Sequence, residues 1–187
     1  SGSDNLNGKK ILVQGIGHVG QYIVDYLHKE GAEIIVSDIN SDLVQKTITK
    51  YGCKYVHPDK VYDEDMDIYS PCALGATIND ATINQLKCSV IAGAANNQLM
   101  DEKLHGEILF QKGIVYAPDY LINAGGVINC YAEIHDISDD KVMDMAGNIY
   151  NTTRDILISS RDENIPTSLA ANRLAEKRIK NESEKLK

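Results

Sequence analysis

The sequence has few cysteines, no excess of basic charge and no long apolar run, and each shortage excludes a class of protein. Its four cysteines, Cys53, Cys72, Cys88 and Cys130, form no C-x-x-C pair, and 187 residues build a core without disulfide staples. Reduced, mostly buried thiols are expected. Lysine and arginine number 19 against 27 aspartate and glutamate, a formal charge of −8. That removes the broad positive footprint of a nucleic-acid binder and leaves any anionic ligand to a local site. No apolar stretch approaches the ~18 residues of a membrane span, and the polar start Ser1-Gly2-Ser3-Asp4-Asn5 lacks the basic and apolar regions of a signal peptide. A cytoplasmic protein without a membrane partner is expected. His18, His28, His57, His105 and His135 fall at no H-x-x-x-H spacing, so no metal site is expected, and no serine stands in a G-x-S-x-G elbow.

What is present is an alternation of short β-branched runs with segments of helical period, the pattern of a parallel sheet with crossover helices. Ile11-Leu12-Val13-Gln14 predicts a first strand, and Val19, Ile23, Tyr26 and Leu27 predict a helix that stops at Gly31. Further strands are expected at 33–37, 54–56, 67–70, 89–92 and 113–116. Helices are expected at 41–51, 80–87 and 99–112, and a loop from His57 to Glu64. Beyond Asp119 three helical stretches follow, near 124–135, 139–162 and 167–184. In the second of these, Val142, Met145, Ala146, Ile149, Thr153, Ile156 and Leu157 form one apolar stripe. At ~1.5 Å per residue that helix spans about 36 Å, so the stripe either packs on the domain's own sheet or reaches toward another domain. The expected fold is α/β, a Rossmann-type doubly wound, mostly parallel sheet with additional C-terminal helices. Residues 1–135 would form the dinucleotide-binding core, and 136–187 the helices that pack on it.

Gly15-Ile16-Gly17-His18-Val19-Gly20 fits G-x-G-x-x-G, and it falls between a strand-like run and an amphipathic helix. The first glycine suits a sharp turn, the second lets a pyrophosphate approach the backbone, and the third lets helix pack on strand. Free N–H groups at the helix start then face the anion. Asp38 follows Gly15 by 23 residues at the end of the second strand, close to the spacing of the acid that receives the adenosine ribose hydroxyls. The bland alternative makes the glycines turn formers and Asp38 a loop acid. A 2′-phosphate would meet the Asp38 carboxylate, and Ile39-Asn40-Ser41-Asp42 offers no cation to receive it, so NAD is expected rather than NADP.

Three more segments follow strands, where ligands gather in an open α/β sheet. They are Ser70-Pro71-Cys72-Ala73-Leu74-Gly75, Gly93-Ala94-Ala95-Asn96-Asn97 and Pro118-Asp119-Tyr120-Leu121-Ile122-Asn123-Ala124-Gly125-Gly126. Small residues admit a flat ring, and Asn96 or Asn123 suits a ribose hydroxyl or a carboxamide. Turn and N-cap chemistry is the competing role for both.

With S-P-C-A-L-G-A-T-I-N, V-I-A-G-A-A-N-N-Q-L and Y-A-P-D-Y-L-I-N-A-G-G-V-I-N in order behind the cradle, the chain resembles the cofactor-binding domain of the glutamate/leucine/phenylalanine/valine dehydrogenases, nearest the leucine dehydrogenase branch. The resemblance runs from about residue 4 to 180. It implies NAD-dependent oxidative deamination of an L-amino acid to a 2-oxo acid and ammonia, with branched aliphatic substrates first, and a homo-oligomer in the complete protein. It assigns the pyrophosphate to Gly15, Gly17, His18, Val19 and Gly20, and the adenosine side to Asp38 and Ile39. The nicotinamide side falls to Cys72, Ala73, Ala95 and Asn96, with Asn123 where nicotinamide and amino acid meet. His18 stands where leucine dehydrogenases often carry Asn. The family's catalytic lysines and aspartate belong to an amino-terminal domain, and no lysine here lies in the glycine-rich lysine motif, so no catalytic residue is expected in this chain.

Two functions compete: the cofactor half of an amino-acid dehydrogenase, and a stand-alone nucleotide-binding or sensing module. The missing catalytic residues favour the second, whereas the crowded nicotinamide rim favours the first, since a sensor of the adenosine end has little use for it. A short-chain dehydrogenase would need Tyr-x-x-x-Lys, and none of the ten tyrosines has a lysine four residues on.

Overall fold

Strand β1 (Lys10–Gln14) buries Ile11, Leu12 and Val13 in succession, the continuous apolar run that a strand covered on both faces requires. In the computed structural model, which describes residues 5–185, it lies inside a six-stranded sheet. The polar start 1–4 and the last two residues, over which the expected domain spans extend, lie outside the described residues. Strand β2 (Glu33–Ser37) flanks β1 on one side and β4 (Ile68–Pro71) on the other, with Leu12 opposite Ile35 and Tyr69. β3 (Lys54–Tyr55), β5 (Val90–Ile91) and β6 (Val115–Tyr116) complete the order β3-β2-β1-β4-β5-β6, and every pairing is parallel. The sheet is thus the expected doubly wound α/β arrangement, and the chain reverses its direction of winding between β1 and β4.

Side chains alternate across the sheet. Val13, Ile16 and Val36 pack with Val24 of α1 (His18–Lys29) and Val44 of α2 (Ser41–Tyr51) on one face. Leu12, Ile35, Tyr69 and Ile91 pack with Val61, Ile78 and Leu109 on the other. Leu109 belongs to α3 (Glu102–Gln111), which starts later than expected because the Asp101 side chain accepts from the Leu104 N–H at 2.8 Å and caps the helix there.

Two expected elements are corrected. In place of the helix at 80–87, residues 80–85 form a series of turns: Asn79 Oδ1 accepts from the Ala81 and Thr82 N–H groups at 3.0 and 3.2 Å, and this side-chain competition displaces the helix. The expected loop at 57–64 contains a 3-10 helix, Pro58–Asp63, started by Pro58 at its first turn. The strands expected at 89–92 and 113–116 shorten to two residues each.

After β6 come α4 (Asp119–Ile122), α5 (Gly125–Ile134), α6 (Asp139–Glu163) and α7 (Thr167–Lys185). The α6 stripe packs on α7, α5 and α4, with Ile156 buried against Ala170, Ala171 and Leu121. Beside the stripe, Met143 and Tyr150 of α6, like Val127 and Ile134 of α5, are about three-quarters exposed, at 70%, 71%, 74% and 77%. Among the described residues no helix is long and apolar enough to cross a membrane, and no cluster of three or more His, Cys, Asp or Glu is placed to hold a metal ion.

Candidate dinucleotide site

The carboxyl ends of β1, β2, β4, β5 and β6 bring the selected residues to one rim. Gly15 leaves β1 with φ +95°, and its N–H donates to the Ser37 carbonyl at 2.7 Å. A Cβ on Gly15 would lie 2.6 Å from the Ala73 nitrogen, and one on Gly20 would lie 2.1 Å from the Gly15 carbonyl oxygen. These two glycines are therefore required by the protein's own packing. Gly17 is different: it is the N-cap of α1, and a Cβ there would meet nothing within 4 Å. No side chain caps α1, and its first turn holds no acid, so its N–H groups and dipole are left to an anion in the open space over Gly17. That combination fits the pyrophosphate of a dinucleotide.

His18 and Val19 open α1 and are exposed, and the His18 ring meets Tyr22 edge-on at 5.6 Å. Asp38 is half-buried beside the cradle. Its Oδ2 accepts from the Ile16 N–H at 2.8 Å and its Oδ1 from the Asn40 N–H at 2.9 Å. The carboxylate is thereby fixed in orientation, and each oxygen retains capacity to accept from a ribose hydroxyl. Ile39, next to it, is 93% exposed, an apolar surface with no partner in the fold's own core.

Across the switch point the chain is held differently. The Cys72 N–H donates to the Gln14 carbonyl at 2.7 Å, and the Cys72 Sγ stands 3.5 Å from the Ser70 hydroxyl. Burial pushes the Cys72 thiol up, partly offset by hydrogen bonds from the Ala94 backbone and Ser70. It is a neutral, weakly reactive wall rather than a nucleophile. Ala73 is exposed beside Gly15, while Ala95 is buried and its N–H donates to the Pro71 carbonyl at 2.9 Å. Asn123, at the end of α4, donates from Nδ2 to Asn96 Oδ1 at 2.6 Å and lies 3.5 Å from the Ala95 carbonyl.

All twelve residues selected from sequence thus lie along this rim, one group at the ends of β1 and β2 and the other at the ends of β4, β5 and β6. Sequence reasoning missed what holds the second group. Gly75 and Gly93 permit interlocking of the loops: a Cβ on Gly75 would lie 2.4 Å from the Asn96 carbonyl oxygen, and one on Gly93 2.2 Å from that of Pro71. Asp119 is buried in the first turn of α4, and its Oδ2 accepts from the Gln98 N–H at 3.1 Å. Its own N–H donates to the Tyr116 hydroxyl at 3.3 Å. Burial, together with the nearby Asp119 carboxylate, pushes the Tyr116 phenol up, so the hydroxyl stays protonated.

A sheet of this strand order, with an open glycine cradle at its first turn and a fixed carboxylate at the end of its second strand, defines a dinucleotide-binding domain of the dehydrogenase type. A family model described as Glutamate/Leucine/Phenylalanine/Valine dehydrogenase matches residues 36–186. The chain belongs to that family and corresponds to its NAD-binding region. It is 51% identical over 178 residues to leucine dehydrogenase from Bacillus subtilis, covering 95% of this chain and 49% of that protein. It is 49% identical over 178 residues to leucine dehydrogenase from Thermoactinomyces intermedius, covering 95% and 48%. The crystal structure of L-tryptophan dehydrogenase from Nostoc punctiforme superposes with a TM-score of 0.94 at 42% identity, covering 97% of this chain and 55% of that one. The chain spans about half the length of the curated relatives it matches.

Proposed function

We propose that this chain is the NAD-binding portion of a dehydrogenase that interconverts an apolar L-amino acid, branched aliphatic first, with its 2-oxo acid and ammonia. The observation that carries the reading is the open, uncapped start of α1 over Gly17 beside the fixed Asp38 carboxylate, in a chain of this family. In it the α1 N–H groups hold the pyrophosphate, with His18 and Val19 beside it. Asp38 receives the adenosine ribose hydroxyls, and Ile39 covers the adenine side. Cys72, Ala73, Ala95 and Asn96 line the nicotinamide, and Asn123 stands between nicotinamide and substrate. When bound, NAD supplies the hydride acceptor; the chain's own part is to seat and orient it.

On this reading the chain alone does not turn over an amino acid. Deamination needs a cation to fix the substrate carboxylate and a base to take protons from amine and water. The side chain that meets Asn123 is the Asn96 amide, and the rim segments 70–75, 93–97 and 118–126 hold no lysine, arginine or histidine. Losing general-base catalysis costs about 10²–10⁴-fold, and losing orientation costs more. An assay of NADH absorbance with leucine, valine or phenylalanine is expected to stay at background while calorimetry registers NAD. A steady rise abolished by Asn123→Ala would overturn it.

The exposed apolar residues of α5 and α6, Val127, Ile134, Met143 and Tyr150, support a further element of the proposal, that this face meets the rest of the protein and contributes to a homo-oligomer. Concentration-dependent association in light scattering is expected, and a monodisperse monomer at high concentration would count against it.

A further inference from the structure

Gln98 lies in the loop between β5 and α3, is fully buried, and has no role in the site as proposed. Its Nε2 donates to the Gly93 carbonyl at 2.6 Å and to the Ala95 carbonyl at 3.0 Å. Its backbone N–H donates to Asp119 Oδ2 at 3.1 Å. One amide therefore closes the loop bearing Ala95 and Asn96 on itself, and the same residue ties that loop to the first turn of α4. Asn123, at the other end of α4, meets the loop again through Asn96 and the Ala95 carbonyl.

The Gln98 Oε1 finds no hydrogen-bond partner among the described residues. A core built for stability alone avoids a leftover buried acceptor, and a methionine of similar length would fill the same space without one. What the amide adds is direction. It aims two carbonyls of a loop that the Ala95 N–H ties to the end of β4, and so sets where Ala95 and Asn96 stand relative to Asn123. Small displacements of such groups are costly in orienting a ligand.

We propose that Gln98 is a positioning residue of the nicotinamide half: its side-chain amide, with the Asp119 carboxylate, holds Asn96 and Asn123 in the spacing that orients the nicotinamide ring, without touching the cofactor. The proposal rests on the reading of the rim as an NAD site and adds to it that the two halves are held independently.

The test uses the whole chain and two probes, ADP-ribose, which lacks the nicotinamide, followed by calorimetry, and NADH, whose nicotinamide fluorescence reports on the ring's own surroundings. In Gln98→Met, ADP-ribose is expected to bind within about twofold of the unmodified chain, while NADH binds about tenfold more weakly and loses its fluorescence change. Asp119→Asn, which retains an oxygen to accept from the Gln98 N–H, is expected to behave as the unmodified chain does, and Asp119→Ala to follow Gln98→Met. Parallel weakening of both probes, or an unchanged NADH signal in folded Gln98→Met, overturns the proposal. If Gln98→Met does not fold, the Asp119 pair decides: equal losses in the two variants overturn it. If the unmodified chain binds ADP-ribose but gives no nicotinamide signal, the proposal fails and the adenosine-side reading stands. If it binds neither probe, the reading of the rim fails and takes the proposal with it.

Discussion

On the β1–β2 side of the crevice the rim is backbone shaped by glycines, whereas on the β4–β6 side it is a pair of interlocked loops steadied by the buried Gln98 amide and Asp119 carboxylate. The first half is one motif: strand, turn, helix, strand and acid lie within 10–38, and the Asp38 side chain bonds to the backbone of Ile16 within the same segment. The second half joins three separate loops, each following a different strand, with Gly75 against Asn96, Gln98 against Asp119, and Asn96 against Asn123. A site can thus fix the common part of a dinucleotide with main-chain N–H groups and a dipole, and fix the reacting end with side chains whose placement depends on packing between separate loops.

Substitutions should separate the two halves, and the largest effect is expected at Gly20. Gly20→Val places side-chain atoms against the Gly15 carbonyl, which a Cβ alone would approach to 2.1 Å, so the turn and the α1–β1 packing must give way. A loss of about 4 kcal/mol or more is expected in denaturant unfolding. Gly17→Val is the sharper variant. Its Cβ meets no protein atom, so the midpoint of unfolding should stay within about 2 °C while NAD affinity falls at least about a hundredfold. Unaltered NAD binding in folded Gly17→Val would break the cradle reading. Asp38→Ala should weaken NAD by about tenfold, roughly 1.4 kcal/mol, and narrow the preference over NADP, because it removes both an acceptor and a repulsive charge. Calorimetry giving an unchanged preference would show that the carboxylate faces elsewhere.

The smallest effect is expected on the β4–β6 side, where the proposal seats the nicotinamide, and reads accessibility rather than stability. A thiol reagent should reach exposed Cys130 first and half-buried Cys72 slowly, more slowly still with NAD present. Cys88 should react last, because burial removes access and pushes its thiol up to about 11, leaving on the order of 0.1% thiolate at pH 8. NAD protection of Cys72 marks the nicotinamide against that wall; equal labelling with and without NAD would place the ring elsewhere.

The same division explains what was legible in the sequence. The cradle, Asp38 and the long helices carry their structure in local pattern, glycine spacing, strand-end position and a 3.6-residue stripe, and each stands where it was expected. The turns at 80–85 mimic a helix in composition, and only Asn79 and Thr82, whose side chains compete for the backbone, mark the difference. Asp119 and Gln98 were illegible for another reason. Their bond spans 21 residues, no more than the 22 between Ile16 and Asp38, but no motif of fixed spacing links the two segments, and nothing in either alone names the other. The α6 stripe left open what it would cover; in the fold it meets α4, α5 and α7.

A groove of about 510 Å³ also opens between α3, the β6 edge and α6, lined by Leu109, Phe110, Leu157 and Ile158, and it gives the site assignment a rival within the same molecule. Titrating the isotopically labelled chain with NAD and following every backbone amide by NMR therefore tests the central claim most directly. The account predicts the largest shifts at Gly17, His18, Val19, Gly20 and Ile39, smaller ones at Ala73, Ala95, Asn96 and Asn123, and none at Leu109, Phe110 or Ile158. Shifts concentrated in that groove, with the cradle amides unmoved, would contradict it.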